Sequence, residues 1–168
     1  PGHHAFGDMA GGFCFLNNSG IAAQLLRDRG LRPAILDVDV HHGNGTQGLF
    51  YDRDDVLTLS SHADPADFYP FFGGHSAERG EGRGRGYNLN LPLPPGCGLG
   101  AYRYAMESLV LPALEAFNPD LIVVACGYDA CAKDPLGKML LNSAAFAEMT
   151  AQLKALAARC CQGKLVFV

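Results

Sequence analysis

The sequence predicts an α/β fold, a mostly parallel sheet with helices on both faces, and three observations predict it. Apolar runs of strand length alternate with segments of helical period. The runs end in carboxylates, hydroxyls or imidazoles, at the strand ends where ligands of such sheets bind. The 21 glycines and ten prolines gather at segment ends and in the stretch 73–100, which marks long ordered loops on a rigid frame.

Residues 1–15 have neither period, yet carry the adjacent His3 and His4 among glycines, and read as an active-site loop. A solvated loop or a tag remnant is the alternative, against which Gly-Gly-Phe-Cys-Phe is too apolar. Asn17, Asn18 and Ser19 offer caps for a helix over 20–29, with Ile21, Ala22, Leu25 and Leu26 as its inner face and Gly30 as its stop. Pro33 opens a strand over 34–40. A second strand, 56–60, runs into Ser60, Ser61 and His62. In 63–100 an aromatic cluster (Phe68, Tyr69, Phe71, Phe72) precedes the glycine-rich stretch 73–86, readable as a mobile loop or a substrate rim, and then an alternating strand over 88–93. A helix over 101–117 is ended by Asn118-Pro119. The run 121–126 is a buried strand with Asp129 just past its end. Ser143 is the expected cap of a last helix reaching about 160, and 164–168 opens another strand. There is no internal repeat and no second domain.

At 168 residues, 48% hydrophobic and 18% charged, this is the composition of one globular domain. A net charge of −4 argues against a nucleic-acid surface, and the one basic cluster, Arg79, Arg83 and Arg85, is interleaved with glycine and glutamate. No apolar run reaches the ~18 residues of a membrane span and no secretory signal opens the chain, so a cytoplasmic protein is expected. Six cysteines without a Cys-x-x-Cys spacing read as reduced thiols, with Cys14 the one placed to line a site.

The chemistry concentrates in 34–45, Ala-Ile-Leu-Asp-Val-Asp-Val-His-His-Gly-Asn-Gly. Strand alternation sends Asp37, Asp39 and His41 one way and Leu36, Val38 and Val40 the other. Buried carboxylates are costly without compensation, and a divalent cation on Asp39 and His41 removes that cost. A strand end that caps a following helix is the alternative. Asp39, His41, Ser60 and Asp129 are expected to converge at the strand ends. Two carboxylates and one imidazole leave an open position for water on a catalytic zinc, and the base that takes a proton from that water is sought in His3 and His4.

Pro-Gly-His-His-Ala, Gly-Phe-Cys-Phe-Leu-Asn-Asn, Leu-Asp-Val-Asp-Val-His-His-Gly-Asn-Gly-Thr-Gln and Gly-Tyr-Asp-Ala with Asp-Pro-Leu-Gly resemble, in order and across the chain, the zinc-dependent histone deacetylase family. The resemblance is to the class II type and its bacterial relatives, the histone-deacetylase-like and acetylpolyamine amidohydrolases. It implies the arginase/deacetylase fold, Asp39, His41 and Asp129 as zinc ligands, and His4 as general base. His3 is then its neighbour, oriented by Asp37, and Asn44 is the partner of His4 where class I members carry Asp. A carboxylate partner favours imidazolium at His3, and an amide leaves His4 nearer neutral.

Phe13 and, by register, Tyr69 match the walls of an acyl-lysine tunnel, the second of which is commonly Phe. The Gly12 carbonyl matches an acceptor for the substrate amide. Asp37 and Ser60, with the main-chain carbonyls of Asp39, His41 and Ser61, match a structural potassium (K+) site, and Phe50, Arg53, Val56 and Tyr87 a second monovalent site. The family's catalytic tyrosine follows the strand that 165–168 resembles, and Tyr128 matches a packing aromatic instead. The expectation is therefore the central part of one deacetylase catalytic domain, a partial domain without the family's amino-terminal elements and without the tyrosine segment. The implied substrates are acetylated lysine, acetylpolyamines or other small amides, with self-association into a homo-oligomer left open. Two other readings stand beside this one: a metal-binding scaffold that is catalytically incomplete, and a binuclear manganese ureohydrolase, disfavoured because the motif holds a single Asp-x-His.

Overall fold

A computed structural model describes residues 2–168; Pro1 of the opening motif lies outside the described residues. Five strands, β1 (Pro33–Asp37), β2 (Leu57–Ala63), β3 (Asn88–Leu93), β4 (Leu121–Ala125) and β5 (Leu165–Phe167), form one parallel sheet in the order β3-β2-β1-β4-β5. Helices α1 (Asn18–Arg27) and α2 (Asn44–Phe50) cover one face, and α3 (Leu99–Ala105), α4 (Leu111–Phe117) and α5 (Ser143–Cys160) the other. Strand alternation divides the core between the faces. Leu36, Val38 and Val40 pack with Leu59, Leu114 and Leu153, while Ile35 packs with Ala23, Phe50 and Val123. The register sets Asp37 opposite Ser60 on one side and Ala125 on the other, so the polar ends of β1, β2 and β4 lie abreast.

Several element bounds differ from the sequence reading for identifiable reasons. The strand expected over 34–40 stops at Asp37, because carboxylates take over as acceptors. Asp37 Oδ1 accepts from Asp39 N at 3.1 Å and Asp129 Oδ1 accepts from Val40 N at 2.9 Å. Helix α2 follows after residues 38–43, although Gly45 and Gly48 disfavour it; added Cβ atoms there would strike the main chain of His4 and Ala5 and the Phe6 ring, so close packing holds it in place.

On α1 the Asn17 side chain caps by accepting from Gly20 N, as expected, but Ile21 and Leu25 are exposed and the buried positions are Ser19, Gly20 and Ala23. Small residues turn inward because α1 approaches Leu49 too closely for a larger side chain at Gly20. The helix expected over 101–117 contains a π turn at Met106–Val110, where Leu111 N bonds to Met106 O. Pro112 explains it: proline has no N–H and its ring clashes with the carbonyl four residues back, and a wider turn relieves both. Asn142, not Ser143, caps α5, its side chain accepting from Ala145 N at 3.0 Å. The stretch 73–86 is tied down, with Glu81 N donating to Tyr51 O at 2.9 Å. No described helix is long and apolar enough to cross a membrane.

Asp55 links the end of α1 to the approach to β2, accepting from Arg53 Nε (2.9 Å) and Arg27 Nε (2.7 Å). The Arg53 hydrogen bonds, helped by Arg27 and opposed by partial burial, hold its carboxyl down to about 2. A depressed folded-state pKa contributes stability above the unfolded value that is lost as pH falls through the folded one. Asp55→Asn should therefore cost about 1 kcal/mol at pH 7, the range of half-exposed pairs. In urea unfolding the gap between variant and parent should close as pH falls from about 4 to 2.

Candidate metal centre

Asp39, His41 and Asp129 each offer a ligand atom within 4.8 Å of the others. The first two lie on the turn that the Asp37 carboxylate shapes after β1, and the third lies beyond the adjacent β4. His41 Nδ1 is 3.0 Å from Asp39 Oδ1 and 3.0 Å from Asp129 Oδ2, so one ring nitrogen faces both carboxylates. Gly127 makes room: a Cβ there would strike the Asp39 carboxylate. Burial lowers the affinity of His41 for a proton, yet the hydrogen bonds and charges of Asp129 and Asp39 outweigh it and push its pKa up to about 9. A pocket that draws positive charge against burial is shaped for a cation, and an O, N, O donor set suits zinc. Burial raises the Asp39 carboxyl, with Asp37 and Asp129 adding to it. Burial also works on Asp129, but hydrogen bonds from His41 and the Val40 N–H hold it down to about 2.

His3 and His4 stand beside this triad with ring centroids 4.0 Å apart. His3 Nδ1 is 2.6 Å from Asp37 Oδ2, and its Nε2 is 3.7 Å from Asp39 Oδ2. Burial pulls the His3 pKa down, but Asp37 and then Asp39 overcome it and the net shift is upward. His4 Nδ1 is 2.7 Å from Asn44 Oδ1. Burial and then the neighbouring His3 lower its pKa to about 4. An amide oxygen at Nδ1 requires the hydrogen there, which leaves the lone pair on Nε2.

The triad and both histidines line a cavity of about 910 Å³, walled by Gly12, Phe13, Cys14, Tyr69 and Leu136. Paired main-chain bonds between Gly11 and Cys14 close a turn with φ +51° at Gly12 and +63° at Phe13, the geometry of a primed hairpin turn. Gly12 lies so close to the His4 ring that a Cβ would overlap it, and the exposed Phe13 side chain stands at the tip. Tyr69 meets His4 edge-on, centroids 5.0 Å apart.

Not every expected residue arrives there. Ser60 is buried away from the cavity, its hydroxyl 2.8 Å from His62 Nδ1, because its register partner is Asp37 and not Asp39. Ser61 Oγ donates to the Asp37 carbonyl at 3.5 Å. The carbonyls of Phe50 and Tyr87 accept from the main-chain nitrogens of Arg53 and Thr58, at 3.1 and 3.0 Å. No residue of 73–86 lines the cavity, and of the loop that follows β2 only Tyr69 does. Tyr128 packs on Phe146, centroids 5.2 Å apart, in keeping with the packing position expected of it. Gly127 and Leu136 were not singled out from sequence, although both fall in the segments that follow β4.

Residues 1–168 match the histone deacetylase domain model along their whole length. The chain is 53% identical over 170 residues to a histone deacetylase-like amidohydrolase of Pseudomonas aeruginosa, covering all of this chain and 44% of that protein. It is 46% identical over 150 residues to acetylpolyamine amidohydrolase 1 of the same organism, covering 89% and 43%. Among solved structures, an acetylpolyamine aminohydrolase from Burkholderia pseudomallei superposes with a TM-score of 0.91 at 43% identity, over 100% of this chain and 47% of that one. The chain thus spans a little under half the length of these relatives.

Gly127→Ala tests the cavity's fit to a cation. Its backbone φ allows alanine, and the added Cβ would meet the Asp39 carboxylate and then Asp129 Oδ1 at 3.0 Å, so divalent-metal uptake measured by metal analysis should fall at least about 10-fold with the circular dichroism spectrum unchanged.

Proposed function

The chain belongs to the histone deacetylase family, and from that premise we propose that it forms the metal-holding core of a zinc-dependent amidohydrolase. Its substrates on this reading are acetylated (acylated) amines, lysine side chains or polyamines. The single observation that carries the proposal is His4, held at Nδ1 by Asn44 Oδ1 with its Nε2 free to accept, beside an Asp-His-Asp triad in one cavity. The relatives named as acetylpolyamine amidohydrolases support a small linear amide as substrate.

Asp39, His41 and Asp129 would hold the ion. When bound, zinc supplies polarisation of the acyl carbonyl and a more acidic water. His4 takes the water proton at Nε2 as the water oxygen bonds to the acyl carbon, and the proton then goes to the amine nitrogen as the C–N bond breaks, leaving acetate and free amine. Burial lowers the His4 pKa most, and His3, whose own pKa Asp37 raises against burial, lowers it further, which favours an unprotonated His4 at neutral pH. The Gly12 carbonyl accepts the substrate amide N–H, and Phe13 and Tyr69 enclose the aliphatic chain. Asp37 and Ser60, with the main-chain carbonyls of Asp39, His41 and Ser61, would hold a structural K+, and a second monovalent ion would sit near Phe50, Arg53, Val56 and Tyr87. In the full protein a tyrosine downstream of Val168 is proposed to donate to the oxyanion.

The test is zinc content together with deacetylation of a fluorogenic acetyl-lysine amide and of an N-acetylated diamine by the full protein. Chelation or Asp129→Ala should abolish turnover, and zinc uptake without turnover of either amide would overturn the reading in favour of a scaffold. His4→Ala should lower kcat by about 10²- to 10⁴-fold while zinc stays bound. Asn44→Asp sets a carboxylate at His4 Nδ1 and raises its pKa. The base is then protonated up to a higher pH, and the acid limb of the kcat profile should move upward.

A further inference from the structure

A second, partly buried polar cluster lies outside the lining of the metal centre's cavity. Its hub is Gln47, in α2. Gln47 Oε1 accepts from His42 Nε2 at 3.0 Å, Asn88 Nδ2 at 3.0 Å and Asn90 Nδ2 at 2.8 Å. Its amide Nε2 donates to Glu78 Oε2 at 2.7 Å. The same Glu78 oxygen accepts from Gly74 N at 2.9 Å, which closes the 73–86 strap over the hub. Asn88 also donates to the Glu78 carbonyl at 2.8 Å. Asn88 and Asn90 are two apart in β3 and therefore project from one face.

This cluster reaches the chemistry through two neighbours. Gln47 is one helical turn after Asn44, whose Oδ1 holds His4 Nδ1. His42, fixed by Gln47 and buried, directly follows His41. Helix α2 cannot set its own place. It has seven residues, two of them the glycines at 45 and 48, and no side chain caps its start. Thr46 ties one side of it to Asn17 Nδ2 at 3.0 Å, and Gln47 ties the other to β3 and the strap.

We propose that Gln47, gripped by Glu78, is a positioning residue for the reaction: through it β3 and the 73–86 strap fix α2, and with α2 the Asn44–His4 contact and the His41–His42 backbone. The strap that lines no part of the cavity acquires a role in this way. The inference rests on the deacetylase reading for its kinetic arm, but its structural arm is independent of activity.

The full zinc-loaded protein is compared with Gln47→Leu, Gln47→Glu and the double variant Gln47→Glu/Glu78→Gln. In the single Glu variant two carboxylates face each other. In the double variant the hydrogen bond between positions 47 and 78 reverses direction and position 47 still accepts from His42, Asn88 and Asn90, but the amide nitrogen that takes the place of Glu78 Oε2 cannot accept from Gly74 N. Both single variants should lower kcat on the acetyl-lysine amide about 10- to 100-fold, with KM and zinc content within about twofold of the parent. The double variant should recover part of the loss, since the bond between positions 47 and 78 returns while the Gly74 tie to the strap stays broken. A crystal structure of Gln47→Leu should show the Asn44 Oδ1 to His4 Nδ1 distance beyond 3.2 Å, the limit of a good hydrogen bond. Parent-like kcat in the single variants, a loss that tracks zinc content alone, or an unmoved Asn44–His4 contact each overturns the positioning role. A parent protein inactive on every amide, with Asn44 displaced in Gln47→Leu, overturns the functional reading and leaves the positioning role standing.

Discussion

Three carboxylates crowded at the ends of two neighbouring strands are the constraint from which the rest of this structure follows. Asp37 and Asp39 are almost wholly buried, and Asp129 comes in from β4 to meet them. Uncompensated, such groups would neutralise or unfold the strand ends. The chain compensates them with what lies nearest. Main-chain N–H groups of residues 39, 40 and 41 turn toward carboxylates instead of continuing a ladder. His3 crosses from the opening loop to Asp37, and His41 stands between Asp39 and Asp129. Glycines at 43 and 127 leave the space these oxygens occupy. The end of β1, the sharp entry to α2 and the docking of the first loop all answer to one electrostatic demand.

The same demand separates two histidines that are neighbours in sequence. His3 and His4 share burial and nearly share a position, yet one meets a carboxylate and the other an amide. Burial pushes both toward neutrality; Asp37 reverses this for His3, while for His4 the proximity of His3 reinforces it. Two environments thus give two protonation preferences from one residue type, the arrangement by which acid–base roles are divided in active sites. Asn44 is decisive here because it orients the ring without adding a charge.

Around the site, precision comes from packing and not from local propensity. The glycine-bearing α2 is held by Ala5, Phe6, Thr46 and Gln47, and the inner face of α1 is small because the helices approach closely. The π turn before α4 accommodates Pro112 within an otherwise continuous helix. These are places where a residue poor for its local structure is retained because its neighbours require it.

Sequence by itself determined the parallel α/β frame and the triad. Alternation in 34–40 separates Leu36, Val38 and Val40 from the acids, and polar ends on successive apolar runs mark one edge of the sheet. These depend on residue type and period, which a linear chain displays. Tertiary structure alone decided where the strand stops, that Asn142 and not Ser143 caps α5, that Ile21 and Leu25 face outward, and that Ser60 lies behind Asp37 away from the cavity. It also decided that 73–86 folds over Gln47 and not along the wall of the cavity. Each of these turns on register or on a contact between residues tens of positions apart, such as Glu78 with Gln47 or Asp37 with Ser60. No local period encodes such distances; they are fixed when the sheet closes and the helices settle on it.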